Sequence, residues 1–219
     1  MSGMMKFFLL IIAPALALVL SNLGLETSRM NLMGWFLFVM GVGYMAGGII
    51  YFWFKKGDVS VIREETGDRS FWLILPGFIA AFFIPPLEFL FLPEFLPRTV
   101  LIEWVGLGLI FLGLLLRVWT RSAIKGMYSG HVEIQEGHLL VQTGPYRYIR
   151  HPGYAGFTLL ALGVSVAYSS LVGLLAILVL LLPGLAYRMR VEENLLIEHF
   201  GEAYLKYMND TKKILPFIW

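Results

Sequence analysis

Residues 144–154 read GPYRYIRHPGY. Two arginines, a histidine and three tyrosines fall within eleven positions, more hydrogen-bonding and aromatic groups than a plain loop between apolar segments needs. A guanidinium can grip a carboxylate with two prongs, an imidazole can carry a proton, and an aromatic face accepts a cation. Some forty residues on, RMRVEENLLIEHFGEAYLKY (188–207) forms a second cluster. On a helix, Arg188 and Glu192 share a face, four residues apart. Arginine before glutamate is the weaker order for a surface ion pair, so a chemical use competes with simple surface pairing. The chain has no cysteine, which removes disulfides, thiolate ligands and a thiolate nucleophile. Histidines 131, 138, 151 and 199 form no HExxH-like ligand pattern, and no metal is expected.

These residues must be held by membrane helices. The chain of 219 residues is 58% hydrophobic and 15% charged, against about 25% charged for soluble domains, and its mean hydropathy is +0.74. A net charge of +2 without a basic run argues against nucleic acid. Apolar segments lie at about 5–24, 31–54, 71–92 and 100–120, with a longer one at 153–187. The last is too long for one span. AYSSLVG (167–173) in its middle reads as a tight turn, giving a hairpin of 153–168 and 170–187. The expectation is therefore an all-α, polytopic bundle of about six spans with both termini cytoplasmic, the first segment retained as a span rather than cleaved. In that layout Lys6, Lys55, Lys56, Arg63, Arg69, Arg117, Arg121, Lys125, Arg147, Arg150, Arg188, Arg190, Lys206, Lys212 and Lys213 face inward, 15 of the 17 basic residues. The helices of residues 1–99 form an N-terminal half, and 100–219 the chemical half. Gly43 and Gly47 have small-xxx-small spacing suited to close packing. Glu88, Glu94 and Glu103 read as solvated loop ends on the outer side.

Between the halves of the chemistry, HVEIQ and HLLVQT alternate around Glu136-Gly137 and read as a small hairpin or extended flap at the membrane surface. Gly144-Pro145 marks a turn, and Pro152 suits the first turn of the next helix. The tail reads as a helix leaving the membrane, interrupted at Gly201 and followed by a short helix with Tyr204 and Tyr207 on one face.

HLLVQTGPYRYIRHPGY, then RMRVEENLLIEHFGEAYLKY, then a closing LPFIW resemble the isoprenylcysteine carboxyl methyltransferase family and the wider group that includes phospholipid methyltransferases. The resemblance covers about residues 118–219 and implies S-adenosylmethionine as methyl donor, in a cytoplasmic connector pocket. It assigns His138, Leu139, Leu140, Val141, Gly144, Tyr146, His151, Pro152, Gly153, Tyr154 and Glu192 to the cofactor. Backbone near Gly144 could approach the donor because no side chain stands in the way. Arg188 is assigned to the substrate, with Arg150 beside it, and Arg188 and Glu193 to catalysis. A carboxylate acceptor needs desolvation and alignment, whereas an amine needs a base, for which Glu193 or His151 are candidates. The acceptor should be lipophilic and enter from the bilayer: a prenylcysteine-like carboxylate, or alternatively a phospholipid amine.

Simpler readings stand beside these. Arg147 and Arg150 could enforce topology, Tyr148 could be an interfacial belt residue, and Tyr204 and Tyr207 could be packing. Rival functions are an NADPH-dependent sterol-type reductase, whose pattern differs at the HPGY element, and a non-enzymatic scaffold or transporter, which the scarcity of mid-membrane charge disfavours.

Overall fold

The computed structural model describes residues 61–64, 70–124, 133–135 and 140–214. The segments 5–24 and 31–54, the Gly43/Gly47 pair, His138, Leu139 and the closing LPFIW lie outside the described residues. In chain order come β1 (Val61–Glu64), α1 (Ser70–Phe91), α2 (Val100–Ile124), β2 (Glu133–Gln135), a 3-10 turn (Gly144–Arg147), α3 (Pro152–Ala167), α4 (Leu171–Phe200) and α5 (Glu202–Asp210). Among the described residues the protein is helical apart from one two-stranded ribbon. Helices α1, α2 and α4 are long and apolar enough to cross a bilayer, and α3 is a shorter apolar helix. The turn expected in 167–173 separates α3 from α4.

Glu136-Gly137 lies outside the described residues, and of the two runs expected to flank it as a hairpin or extended flap, the first pairs elsewhere. β2 runs antiparallel to β1, with Val61 opposite Gln135, Arg63 opposite Ile134 and Glu64 opposite Glu133. Residues 140–142 are irregular. Alternation marks a strand, but it does not name the partner, and here the partner comes from the earlier connector.

Lipid gives apolar helices no hydrophobic reason to associate, so close packing must hold them. Helix α2 buries one narrow stripe, Gly106, Gly113 and Thr120, at seven-residue spacing. Gly156 and Gly163 of α3 lie against it. A Cβ on Gly106 would stand 2.4 Å from the Ala167 nitrogen, and one on Gly113 2.7 Å from the Gly156 carbonyl oxygen. The backbones touch, and any side chain at these points would part them.

Helix α4 carries the second chemical cluster. Its residues Ile177–Leu181 form a π turn, closed by the Leu182 N–H donating to the Ile177 carbonyl. Pro183 supplies the reason: it has no N–H for the Val179 carbonyl, and its ring crowds that oxygen. The π turn advances everything after it by about 100° around the axis. Gly77 of α1 accommodates the bulge, since a Cβ there would lie 2.6 Å from the Leu181 Cα. A core of Phe82, Phe157, Leu181, Leu185 and Met189 joins α1, α3 and α4, with Phe78 stacked on Phe157 at 3.7 Å between ring centres. At 30 residues, α4 is about 45 Å long, against about 30 Å of hydrocarbon. The helix therefore exceeds one span by about 15 Å, and its charged residues, from Arg188 onward, gather at that C-terminal end.

At the opposite end the structure corrects the reading of Glu88. It is buried at 3% exposure rather than solvated. Its carboxylate accepts hydrogen bonds from the Ser170 hydroxyl, the Leu171 N–H (3.0 Å) and the Val172 N–H (2.9 Å). Ser170 Oγ in turn accepts from the Gly173 N–H at 2.9 Å. The orphan donors that begin every helix are thus satisfied for α4 by a carboxylate from α1, whose charge also suits the positive end of the helix dipole.

Candidate active site

The connector approaches α3 through Gly144, which takes φ +63°, a conformation strained for residues with a side chain. The space a side chain would fill there is occupied by Trp119 and Ala123 of α2, the nearest atoms standing 3.2–3.3 Å from a built Cβ. The glycine thus seats the connector on α2. Tyr146 gives its carbonyl to the Tyr207 hydroxyl at 2.7 Å. Leu140 and Val141 lie half-buried just upstream. Pro152 opens α3 at its first turn, and the Gly153 carbonyl accepts from Arg117 of α2 at 3.2 Å.

Two side-chain groups meet where α3 begins and the charged end of α4 passes. In the first, the Tyr154 hydroxyl accepts from Arg188 Nε at 2.9 Å and donates to Glu192 Oε2 at 2.9 Å. Arg188 is 7% exposed, whereas the Glu192 side chain is 35% exposed, so this chain runs from the interior to the rim. The His151 and Tyr154 rings lie 5.6 Å apart and 27° from parallel.

The second group surrounds Glu193. Its carboxylate meets Arg150 Nε at 2.9 Å, His151 Nε2 at 3.2 Å and Lys213 Nζ at 3.0 Å. Burial pushes this carboxyl up, but hydrogen bonds from His151, Lys213 and Arg150 outweigh it and hold the group down at about 2. His151 Nδ1 faces Glu192 Oε2 at 3.7 Å. Arg150 also donates to the carbonyls of Met208 (2.8 Å) and Thr211.

Backbone bonds reinforce that group. The Arg150 N–H donates to the Lys212 carbonyl at 2.7 Å and the His151 N–H to the Lys213 carbonyl at 3.0 Å, so residues 211–214 run beside the connector. Gly201 turns the chain with φ +56° between α4 and α5. Tyr204 and Tyr207 of α5 pack inward, as one simpler reading had it. Burial raises both phenols, Tyr207 to about 12.

Of the residues singled out from sequence, Arg150, His151, Tyr154, Arg188, Glu192 and Glu193 form one continuous cluster; Pro152 and Gly153 shape its helix start. Lys213 and the Met208 and Thr211 carbonyls were missed. No spacing rule ties position 213 to 193, and main-chain acceptors leave no mark in a sequence.

The phospholipid methyltransferase family pattern matches residues 101–203. The protein-S-isoprenylcysteine O-methyltransferase of Saccharomyces cerevisiae is 31% identical over 147 residues, 66% of this chain and 60% of that protein, so the match spans less than two thirds of the yeast relative. A probable protein-S-isoprenylcysteine O-methyltransferase of Oryza sativa subsp. indica is 30% identical over 133 residues, 60% of this chain and 69% of that protein. Phosphatidylethanolamine N-methyltransferase B of Dictyostelium discoideum is 38% identical over 82 residues, 35% of this chain and 40% of that protein. With its paired clusters at the ends of apolar helices, this chain belongs to the protein-S-isoprenylcysteine O-methyltransferase family.

Proposed function

We propose that this chain is an S-adenosylmethionine-dependent methyltransferase that esterifies the carboxylate of a prenylcysteine-like lipid at the cytoplasmic membrane surface. The bias of 15 of 17 basic residues to one side supports a layout of six spans with both termini inside, and with it this orientation. The acceptor's hydrocarbon chain enters from the bilayer and the methyl donor from the cytoplasm.

The observation that carries the choice of acceptor is the state of Glu193. A carboxylate acceptor is already ionised at neutral pH and needs no base. An amine must lose a proton on methylation, which calls for a base tuned near the working pH. Glu193 is held at about 2 by hydrogen bonds from His151, Lys213 and Arg150, which makes it a poor base. His151 has both ring nitrogens turned to carboxylates, at 3.2 and 3.7 Å. The cluster suits an acceptor that brings its own negative charge.

Arg188 grips that carboxylate and aligns one oxygen for in-line attack. The bound donor supplies a methyl group activated on a sulfonium. The residues fit such a donor. Glu192, on the rim, would accept from its ammonium or ribose hydroxyls, and the His151 and Tyr154 rings offer faces to a cation. Leu140, Val141, Tyr146 and the helix start at Pro152-Gly153 would border it, with His138 and Leu139 just upstream. We assign Arg150 and Glu193, expected at the substrate and at the chemistry, to anchoring the C-terminal segment, because each is engaged by partners on neighbouring elements.

The test uses purified protein in detergent, methyl-labelled S-adenosylmethionine, and a farnesylcysteine analogue beside a phospholipid mixture. Label entering the organic phase on the farnesylcysteine and released as methanol by mild base supports the ester reading. Base-stable label on phosphatidylethanolamine would replace it with amine methylation, which the similarity to the Dictyostelium enzyme keeps as the second reading.

A further inference from the structure

The hydroxyl of Tyr154 joins the two halves of the proposed site. It accepts from Arg188 Nε and donates to Glu192 Oε2, each at 2.9 Å. Arg188 and Glu192 sit one turn apart on α4, while Tyr154 comes from the first turn of α3. One oxygen from a second helix therefore lies in series between the group assigned to the acceptor and the group assigned to the donor. The ring is held independently of that hydroxyl: it faces His151, whose Nε2 is bound to Glu193. Burial matters too, because in a low-dielectric setting such a chain polarises along its length.

We propose that Tyr154 is a positioning residue whose hydroxyl couples acceptor and donor occupancy, so that each ligand strengthens binding of the other. This rests on the assignment of Arg188 and Glu192 above. The sign follows from charge. With no acceptor present, the Arg188 cation polarises the Tyr154 O–H, which donates strongly to Glu192 and draws on its negative charge. An acceptor carboxylate on Arg188 neutralises that cation. The phenol then donates more weakly, and Glu192 regains charge for a cationic donor. Thermodynamic reciprocity requires the donor to favour the acceptor by the same factor. The bond to Nε also fixes the guanidinium plane, leaving its orientation toward the acceptor set before binding.

Calorimetry in detergent tests this, with S-adenosylhomocysteine as the unreactive donor-site probe and N-acetyl-S-farnesylcysteine as the acceptor. In the wild type the acceptor is expected to tighten probe binding about fivefold or more. In Tyr154→Phe the tightening should fall to less than about twofold. The acceptor KM should rise about tenfold with kcat changed only a few-fold, the pattern of a lost grip common to ground and transition states. 3-Fluorotyrosine at position 154 keeps the shape and makes the phenol a stronger donor and weaker acceptor, so it should change the coupling factor without unfolding the protein. Coupling and KM unchanged in Tyr154→Phe, or coupling unchanged with 3-fluorotyrosine, overturns the proposal while leaving the ester reading in place. A wild type that binds the probe and ignores the acceptor, or binds neither, overturns the ester reading and the coupling with it.

Discussion

Arg150 and Glu193, forty-three residues apart, form an ion pair of 2.9 Å with side chains only 7% and 6% exposed. The pair fastens the connector to the charged C-terminal end of α4, and Arg150 carries the link on to the Met208 and Thr211 carbonyls. A buried pair is more costly to break than valuable to keep, because removing one partner strands the other without water. Arg150→Ala and Glu193→Ala should each lower stability by about 3–5 kcal/mol. Replacing both together, Arg150→Met with Glu193→Leu, should recover part of that loss. Thermal unfolding in detergent checks both statements, and single variants as stable as the wild type would show that the pair holds nothing.

The same carboxylate sets a pH limit. Its folded value, about 2, lies below its ordinary value of 4.5. A depressed carboxyl contributes stability that is fully present above the ordinary value and is lost as pH falls through the folded one. The unfolding midpoint should therefore hold steady down to about pH 4.5 and decline below it toward about 2. Glu193→Gln should start lower at neutral pH and show a flatter acid limb. Parallel slopes for the two proteins would place the acid sensitivity elsewhere.

The site was more legible in sequence than the fold around it. Arg150, His151, Tyr154, Arg188, Glu192 and Glu193 are written in two short motifs whose residue types announce charge and aromatic chemistry in an apolar chain. Helical spacing put Arg188 and Glu192 on one face, and the structure adds that they share Tyr154. Long-range pairing was illegible. The β2 strand showed in its alternation, but its partner, β1, lies about seventy residues earlier. Glu88 looked like a solvated loop end because it lies near the end of an apolar segment on the outer side, and only the tertiary fold brings Ser170 and the α4 backbone to its carboxylate. The π turn had a local cause in Pro183, yet a proline alone does not tell a kink from a bulge.

Two glycines on α2 offer a matched comparison. A Cβ on Gly106 would fall 2.4 Å from the Ala167 nitrogen, while on Gly108 it would meet nothing within 4 Å. Gly106→Ala should force α2 from α3 and cost about 1–3 kcal/mol or more. Gly108→Ala should be neutral or stabilising by up to about 1 kcal/mol, since alanine is the better helix former. Because α2 also carries Arg117, which holds the Gly153 carbonyl, Gly106→Ala should weaken S-adenosylhomocysteine binding as well. Equal stability of the two variants would mean that the helices have room to slide.

Glu88 provides the test at the far end of the molecule. Its two oxygens serve a hydroxyl and two backbone N–H groups at the start of α4, while the proposed chemistry begins at Arg188, seventeen residues along the same helix. Glutamine keeps the size but replaces one acceptor oxygen with a donor, which would face other donors in a buried setting. Glu88→Gln should therefore cost about 1–3 kcal/mol, and Glu88→Ala, which leaves the same N–H groups bare and opens a cavity, should cost more. Neither change alters the groups around Arg188, so the protein that remains folded should keep its acceptor KM. Unfolding midpoints measured beside initial rates at a temperature well below the transition separate the two effects. A lower midpoint with an unchanged KM assigns Glu88 to capping α4. A raised acceptor KM in a fully folded Glu88→Gln protein would mean that the cap sets the position of the whole helix, and with it the placement of Arg188.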